Sequence, residues 1–231
     1  MDNLWFKTHP VMELFKPLII CDMELKILHL SDTHGTHRRL GELPEADVLV
    51  HSGDFTMGGS EAETLDFLEW FCDLPYAHKV FVAGNHDDCL YGAQLDGLDD
   101  NVHYLCGSGV EIGGLKFWGV PMFMEDCVSG HQEQLFASIP EDTDVLVTHT
   151  PPYGILDKDG DILYGSTELL HRVRTVCPRA HLFGHIHRAY GVINDGTTVF
   201  SNAAIMDAHY DGLRRPVELE VRCLDKTDKR V

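Results

Sequence analysis

Residues Lys79 to Asp88 read Lys-Val-Phe-Val-Ala-Gly-Asn-His-Asp-Asp, a β-branched and aromatic run followed by one glycine and four polar side chains. The run predicts a buried strand that delivers Asn85, His86 and Asp87 to a loop at its carboxyl end. In open α/β sheets ligands bind at that end, because the strand stems are rigid while the loops are free of the sheet's packing. A plain surface turn uses the same residue types, since Gly, Asn and Asp are all turn formers. The rest of the chain decides between the two readings, because four other stretches end alike.

Upstream, Glu24 to Leu30 alternates as a strand and ends in Ser31-Asp32-Thr33-His34-Gly35. Asp32 and His34 are two apart, so extended backbone points both to one side. Asp47 to His51 is a nearly continuous apolar run, expected where a sheet is covered on both faces, and it ends in Ser52-Gly53-Asp54-Phe55. Ser60 with Glu63 makes a capping box, and the apolar residues from Leu65 to Leu74 predict a helix that Pro75 stops.

Downstream, short strands are expected near 102–105, 110–112 and 115–120, with Gly113-Gly114 as a turn. Residues 121–130 read as irregular and 132–138 as a short helix. Val145 to Val147 ends in Thr148-His149-Thr150-Pro151-Pro152, and His181 to Phe183 ends in Gly184-His185-Ile186-His187. Between them Ser166 caps a helix to about Val176. A hairpin around Asn194-Asp195-Gly196 and a strand over Pro216 to Leu224 complete the pattern. Asp157, Asp159 and Asp161 imitate part of a calcium loop, but Ile162 stands where that loop needs glycine, which rejects the reading.

At 231 residues the chain reaches the upper range of one hydrophobic core. A single domain over 23–231 is expected, preceded by an extension over 1–22 whose Trp5, Phe6 and Phe15 suit a sheet edge or another subunit. Eighteen basic against 37 acidic residues give a formal net charge of -19. Such a surface repels polyanions and acidic lipid, so neither long nucleic acid nor a membrane is expected as a partner. Seven cysteines without a Cys-x-x-Cys pair read as reduced, mostly buried thiols of a cytoplasmic protein. The longest apolar run near the start, Pro17 to Cys21, is far short of the ~20 residues a membrane span needs.

Five strand ends therefore carry Asp-x-His, Gly-Asp, Gly-Asn-His-Asp, Thr-His-Thr-Pro-Pro and Gly-His-x-His. One such loop arises often by chance; five in succession do not. Imidazole, carboxylate and amide oxygen together suit divalent Mn, Fe, Zn, Co or Ni, and thiolate is absent from these loops. Ten of the fifteen histidines keep an ordinary structural reading, and His51 reads as a core residue or a support for the loop of Asp54.

This order and spacing resembles the calcineurin-like metallophosphoesterase superfamily from about Leu25 to Ser201. Leu-Val-His-Ser-Gly-Asp-Phe-Thr, Leu-Pro-Tyr with Ala-Gly-Asn-His, and His-Thr-Pro-Pro-Tyr-Gly are similar to the small metallophosphoesterase-domain-containing proteins, some of which are cyclic nucleotide phosphodiesterases. The resemblance implies a four-layer α/β/β/α sandwich of two mixed sheets flanked by helices. It implies further that Asp32, His34 and His187 hold one metal, that Asn85, His149 and His185 hold another, and that Asp54 bridges them. Two divalent transition-metal ions, Mn first, would then share a hydroxide as nucleophile and clamp the phosphate oxygens. His86 is expected to assist the departing oxygen, with Asp87 either orienting it or serving the turn.

Absences narrow the substrate. The superfamily's protein phosphatases carry Asp-Arg-Gly after the Gly-Asp motif and an Arg before Gly-Asn-His, whereas here stand Thr56-Met57-Gly58-Gly59 and Val82-Ala83. Met57 also occupies the position of the tyrosine ligand of purple acid phosphatases. The expected substrate is a small phosphodiester or nucleotide, cyclic nucleotides first, contacted by loops 120–130 and 153–165. Phe123, Tyr153 and Tyr164 offer rings for a base. Two alternatives stay open: a nuclease on short oligonucleotides, and a weakly active nucleotide-binding scaffold. The scaffold is disfavoured because relatives with weakened metal binding have Gly where this chain has His185.

Overall fold

The computed structural model describes residues 23–223. The expected extension, with Trp5, Phe6 and Phe15, lies outside the described residues, as does the last residue of the strand expected to end at Leu224. Two sheets face each other. The first runs in the order β13 (Val217–Cys223), β1 (Met23–Leu30), β2 (Val48–His51), β3 (His78–Phe81), β4 (Val102–Tyr104). The second runs β11 (Gly191–Asn194), β12 (Val199–Asn202), β10 (Ala180–Phe183), β7 (Val145–Thr148), β6 (Leu115–Val120), β5 (Ser108–Ile112). Both are mixed: β1 to β4 are parallel and so are β6, β7, β10 and β12, while β13, β11 and β5 pair antiparallel at or near the edges.

Alternation along each strand sorts the apolar side chains into three cores. Ile27, Val48, Val50, Val80 and Val82 of the first sheet meet Phe117, Val145, Val147 and Leu182 of the second in the central layer. On the outer face of the first sheet, Leu28, Leu30, Leu49 and Phe81 receive Phe67 and Phe71 of α1 (Glu61–Asp73). On the outer face of the second, Leu146 and Phe183 receive Phe136 of α3 (His131–Ser138) and Leu169, Val173 and Val176 of α4 (Thr167–Val176). This is the expected four-layer α/β/β/α arrangement. Because strands buried on both faces need apolar residues throughout, the near-continuous runs at Val48 and Val145 had announced it.

Ser60 forms the predicted capping box with Glu63, and Ser166 caps α4 by accepting from Leu169 N–H at 3.1 Å. Three local expectations are corrected. Residues 121–130 are not irregular throughout: α2 (Met124–Ser129) forms there and stops where Gly130 turns left-handed at φ 78°. Loop 153–165 carries a small hairpin, β8 (Lys158–Asp159) with β9 (Ile162–Leu163). None of the six described cysteines is fully buried; Cys106 and Cys177 are exposed and the others half-buried. Among the described residues no helix is long and apolar enough to cross a membrane.

Candidate metal centre

Strands β1, β2 and β3 in one sheet and β7 and β10 in the other release their carboxyl-terminal loops toward each other, and backbone hydrogen bonds lock those loops together. Asp32 N–H donates to Gly53 C=O at 2.9 Å, His34 N–H to Asp54 C=O at 3.0 Å, and Gly184 N–H to His149 C=O at 3.2 Å. A parallel bridge from Ser31 to Ala204 joins the sheets at this end. The approach is close enough that a Cβ on Gly184 would fall on Ser31 Oγ and Asp32 Oδ2, and one on Gly84 would fall on Asp54 Oδ1.

Six of the seven residues expected as ligands converge here, and Asn85 lies beside them in the loop whose next residue, His86, bonds Asp54 through its backbone N–H. Asp32, His34 and His187 bring ligand atoms within 4.8 Å of one another, and so do Asp54, His149 and His185. Asp54 Oδ2 stands 3.2 Å from His149 Nε2 and 3.9 Å from His34 Nε2, so one carboxylate reaches both groups. His187 Nε2 lies 3.2 Å from Asp32 Oδ1 and 3.3 Å from His34 Nε2. Asn85 Oδ1 is buried without any hydrogen-bond partner, which is costly for a side-chain oxygen unless a cation satisfies it.

The far side of each imidazole shows which form it takes. His34 Nδ1 is bonded to Thr56 C=O at 3.0 Å, His149 Nδ1 to Ser52 C=O at 2.8 Å and His187 Nδ1 to Asp207 C=O at 3.1 Å. A carbonyl only accepts, so each Nδ1 carries a proton and Nε2 is the atom each ring turns inward, a lone-pair donor wherever that nitrogen is unprotonated. Metal-binding histidines are commonly oriented in this way. The backbone is strained at the same places. Asp32, His34, Asp54 and His185 have φ of 54°, 42°, 56° and 69°, four of the seven non-glycine residues at positive φ among those described. Strain of order 1–3 kcal/mol per residue persists where surrounding structure enforces it, and it gathers at functional sites. The donor set therefore fits divalent metal ions.

Electrostatics follow from burial and proximity. Burial would push the Asp32 carboxyl up, but the His187 hydrogen bond and the nearby imidazoles hold it far below the usual range. Asp54 is likewise lowered, burial being outweighed by His149. His149 is pushed up to about 10: burial opposes protonation, while Asp54 and Asp32 more than compensate. Burial lowers His185 to about 4. His34 is also lowered by burial, whereas His187 is raised because Asp32 outweighs its desolvation.

His86 is placed closer than expected. Its ring packs edge-on to His34 at 4.8 Å, its backbone N–H donates to Asp54 Oδ1 at 2.8 Å, and it shares a ligand-distance group with His34 and Asp54. Asp87 does not orient that ring, which is held instead by Met57 C=O at 2.8 Å from Nδ1. Its buried carboxylate accepts from the N–H groups of Asp54, Gly84 and Thr56 at 2.8, 2.8 and 2.9 Å and so braces the loops of β2 and β3. Burial and the Asp54 charge raise Asp87 to about 7, against the lowering by those donors. His51 is buried behind the site on the Thr33 hydroxyl at 3.0 Å, a supporting position. Of the aromatic candidates, Phe123 is buried against Tyr91, while Tyr153 and Tyr164 are exposed.

Sequence reading missed Asp207, whose carbonyl holds His187, and Tyr210, whose ring lies 5.2 Å from that of His34 and 4.9 Å from that of His187. Both follow β12, outside the five strand ends, in a segment where no apolar period marks an element.

Comparison with known proteins agrees with this geometry. The family model for calcineurin-like phosphoesterases matches residues 25–189. A UPF0046 protein of Caenorhabditis elegans is 39% identical over 202 residues, covering 78% of this chain and 69% of the relative. A second from the same organism is 34% identical over 251 residues, covering 94% and 89%. Human metallophosphoesterase domain-containing protein 1 is 34% identical over 227 residues, covering 83% and 69%. Among solved structures, the TT1561 protein of Thermus thermophilus superposes with a TM-score of 0.57 at 17% identity, covering 87% of this chain and all of the other, a likeness of fold. With strand order, ligand loops and relatives in agreement, this chain belongs to the calcineurin-like phosphoesterase family.

Proposed function

We propose that the protein is a dinuclear-metal-dependent phosphoesterase that hydrolyses small phosphodiesters, with cyclic nucleotides the first substrates to assay. The observation that carries this reading is the position of Asp54, one buried carboxylate shared by two groups of ligands. Bound there, two divalent ions, Mn first among Mn, Fe, Zn, Co and Ni, supply a water of lowered pKa and positive charge for the phosphate oxygens.

The chain's own residues do the rest. Inward Nε2 atoms and the Asn85 oxygen would hold the ions, and so set where the phosphate is drawn. His86 stands at the edge of the site, half-buried, with Nδ1–H committed to Met57 C=O. It can therefore give a proton from Nε2 to the leaving oxygen only as the imidazolium. The diester preference is supported by Val82-Ala83 and Thr56-Met57, which put no arginine where a phosphoprotein monoester would need a clamp. The acidic surface supports a small substrate over a long one.

The test is metal-stripped protein reloaded with each ion and offered bis-p-nitrophenyl phosphate, cyclic nucleotides, single-stranded oligonucleotides and monoesters. Metal-dependent cleavage of the diesters, with cyclic nucleotides above oligonucleotides, is expected. Tight binding of AMP or GMP without cleavage of any diester would replace this reading with a nucleotide-binding module.

A further inference from the structure

We propose that Tyr210 is the base-stacking residue of this site, the aromatic wall against which the planar ring of a nucleotide substrate lies. The inference rests on the phosphoesterase reading above and adds the side chain that selects a nucleoside ester over a bare phosphate ester.

Tyr210 is the sole phenol against the centre: among the described residues the ring neighbours of His34 and His187 are each other, His86 and Tyr210. It nevertheless keeps 47% of its surface exposed, so its ring forms part of the wall of an open site. Tyr210 has φ 59°, a left-handed conformation that a bulky residue adopts only under constraint.

The constraint is visible in the turn. The Asp207 carbonyl accepts both the His187 ring N–H at 3.1 Å and the Tyr210 backbone N–H at 3.1 Å, so one atom anchors the imidazole and the backbone of Tyr210 together. Asp207 Oδ1 ties the N–H groups of His209 at 2.9 Å and Asp211 at 3.3 Å. Arg214 Nη1 clamps the segment by donating to Ala204 C=O and Met206 C=O, both at 2.9 Å. A strained, exposed and rigidly held aromatic beside ligand side chains is pre-organised for a partner, because its ordering cost is met before binding. A partly exposed ring beside a phosphate site can take another planar ring, and every nucleobase offers one regardless of sequence. The aromatic residues expected for this role do not touch these imidazoles: Phe123 is enclosed, and Tyr153 and Tyr164 stand on another loop.

The experiment compares AMP with ribose 5-phosphate, which differ by the base, in their binding to Mn-loaded wild type, Tyr210→Phe and Tyr210→Ala by calorimetry, with Mn content measured for each. Wild type and Tyr210→Phe should bind AMP about tenfold more tightly than ribose 5-phosphate. In Tyr210→Ala the two affinities should converge, with ribose 5-phosphate affinity and Mn content unchanged. Retention of the preference in Tyr210→Ala, or equal loss of both ligands together with Mn, overturns the assignment. A wild type that binds both phosphates equally overturns it too while leaving the phosphoesterase reading intact. Failure to bind either phosphate refutes that reading, and Tyr210's role with it.

Discussion

Asp54 and His86 are neighbours in space, joined by a 2.8 Å hydrogen bond, yet their expected work differs. Asp54→Ala removes the carboxylate common to both ligand groups and should lose metal and turnover together. His86→Ala should keep both ions, by elemental analysis, while turnover falls roughly 10²- to 10⁴-fold, the usual worth of a positioned acid. Equal metal loss in the two would make His86 a ligand. Asp87 belongs to a third category. Asp87→Asn replaces one acceptor oxygen with a donor facing backbone N–H groups, so it should destabilise the fold by about 1–3 kcal/mol and loosen metal binding. Urea unfolding checks the first and metal titration the second; unchanged stability would contradict the brace. His149 yields a prediction in pH. Flanked by carboxylates its imidazole holds a proton up to about pH 10, so a cation must displace that proton. Metal uptake at neutral pH should release protons, detectable as buffer-dependent heat, and should weaken as pH falls.

At the scale of elements, α1 separates stability from function. Its Ser60 cap lies at the surface, so Ser60→Ala should cost about 1 kcal/mol, lower the melting temperature and leave turnover and metal content unchanged. A loss of metal in this variant would mean that α1 is coupled to the centre. The same helix shows why much of the fold was legible. Its capping box, apolar spacing and Pro75 are local signals, and the strands from Val48 and Val145 are apolar on both faces for a local reason. The five loops were legible because each follows a strand end directly. What could not be read depends on contacts distant in sequence. The Met124–Ser129 helix lacks a side-chain cap at its start and has a weak apolar period. The Lys158–Asp159 hairpin is too short to show alternation. Asp87 gave no sign of its bonds to Asp54 and Thr56, some thirty residues upstream. Tyr210 is assigned its place by Asp207 and Arg214, neither of which belongs to a recognisable motif.

Across the whole molecule, burial of neutral histidines sets the acid limit. His29, His51 and His181 are fully buried on Ser and Thr hydroxyls, and burial lowers each from 6.5 to about 3. Because the folded value is depressed for a base, the unfolded chain takes protons that the folded one refuses. Stability is present above about pH 6.5 and is lost as pH falls toward about 3. Denaturation in metal-free buffer from pH 7 to 4 should show this fall, and His181→Gln should flatten it; a flat wild-type profile would contradict the assignment. The same assembly of two sheets brings the shared carboxylate of Asp54 between two sets of imidazoles, and on that the proposed chemistry depends. Electron paramagnetic resonance of protein reconstituted with Mn(II) tests it most directly. The predicted result is two exchange-coupled ions per chain, at the ~3.5–4 Å spacing usual for two-metal sites, with bound Mn and the coupled signal lost together in Asp54→Ala. One ion per chain, or two that are magnetically isolated, would contradict it.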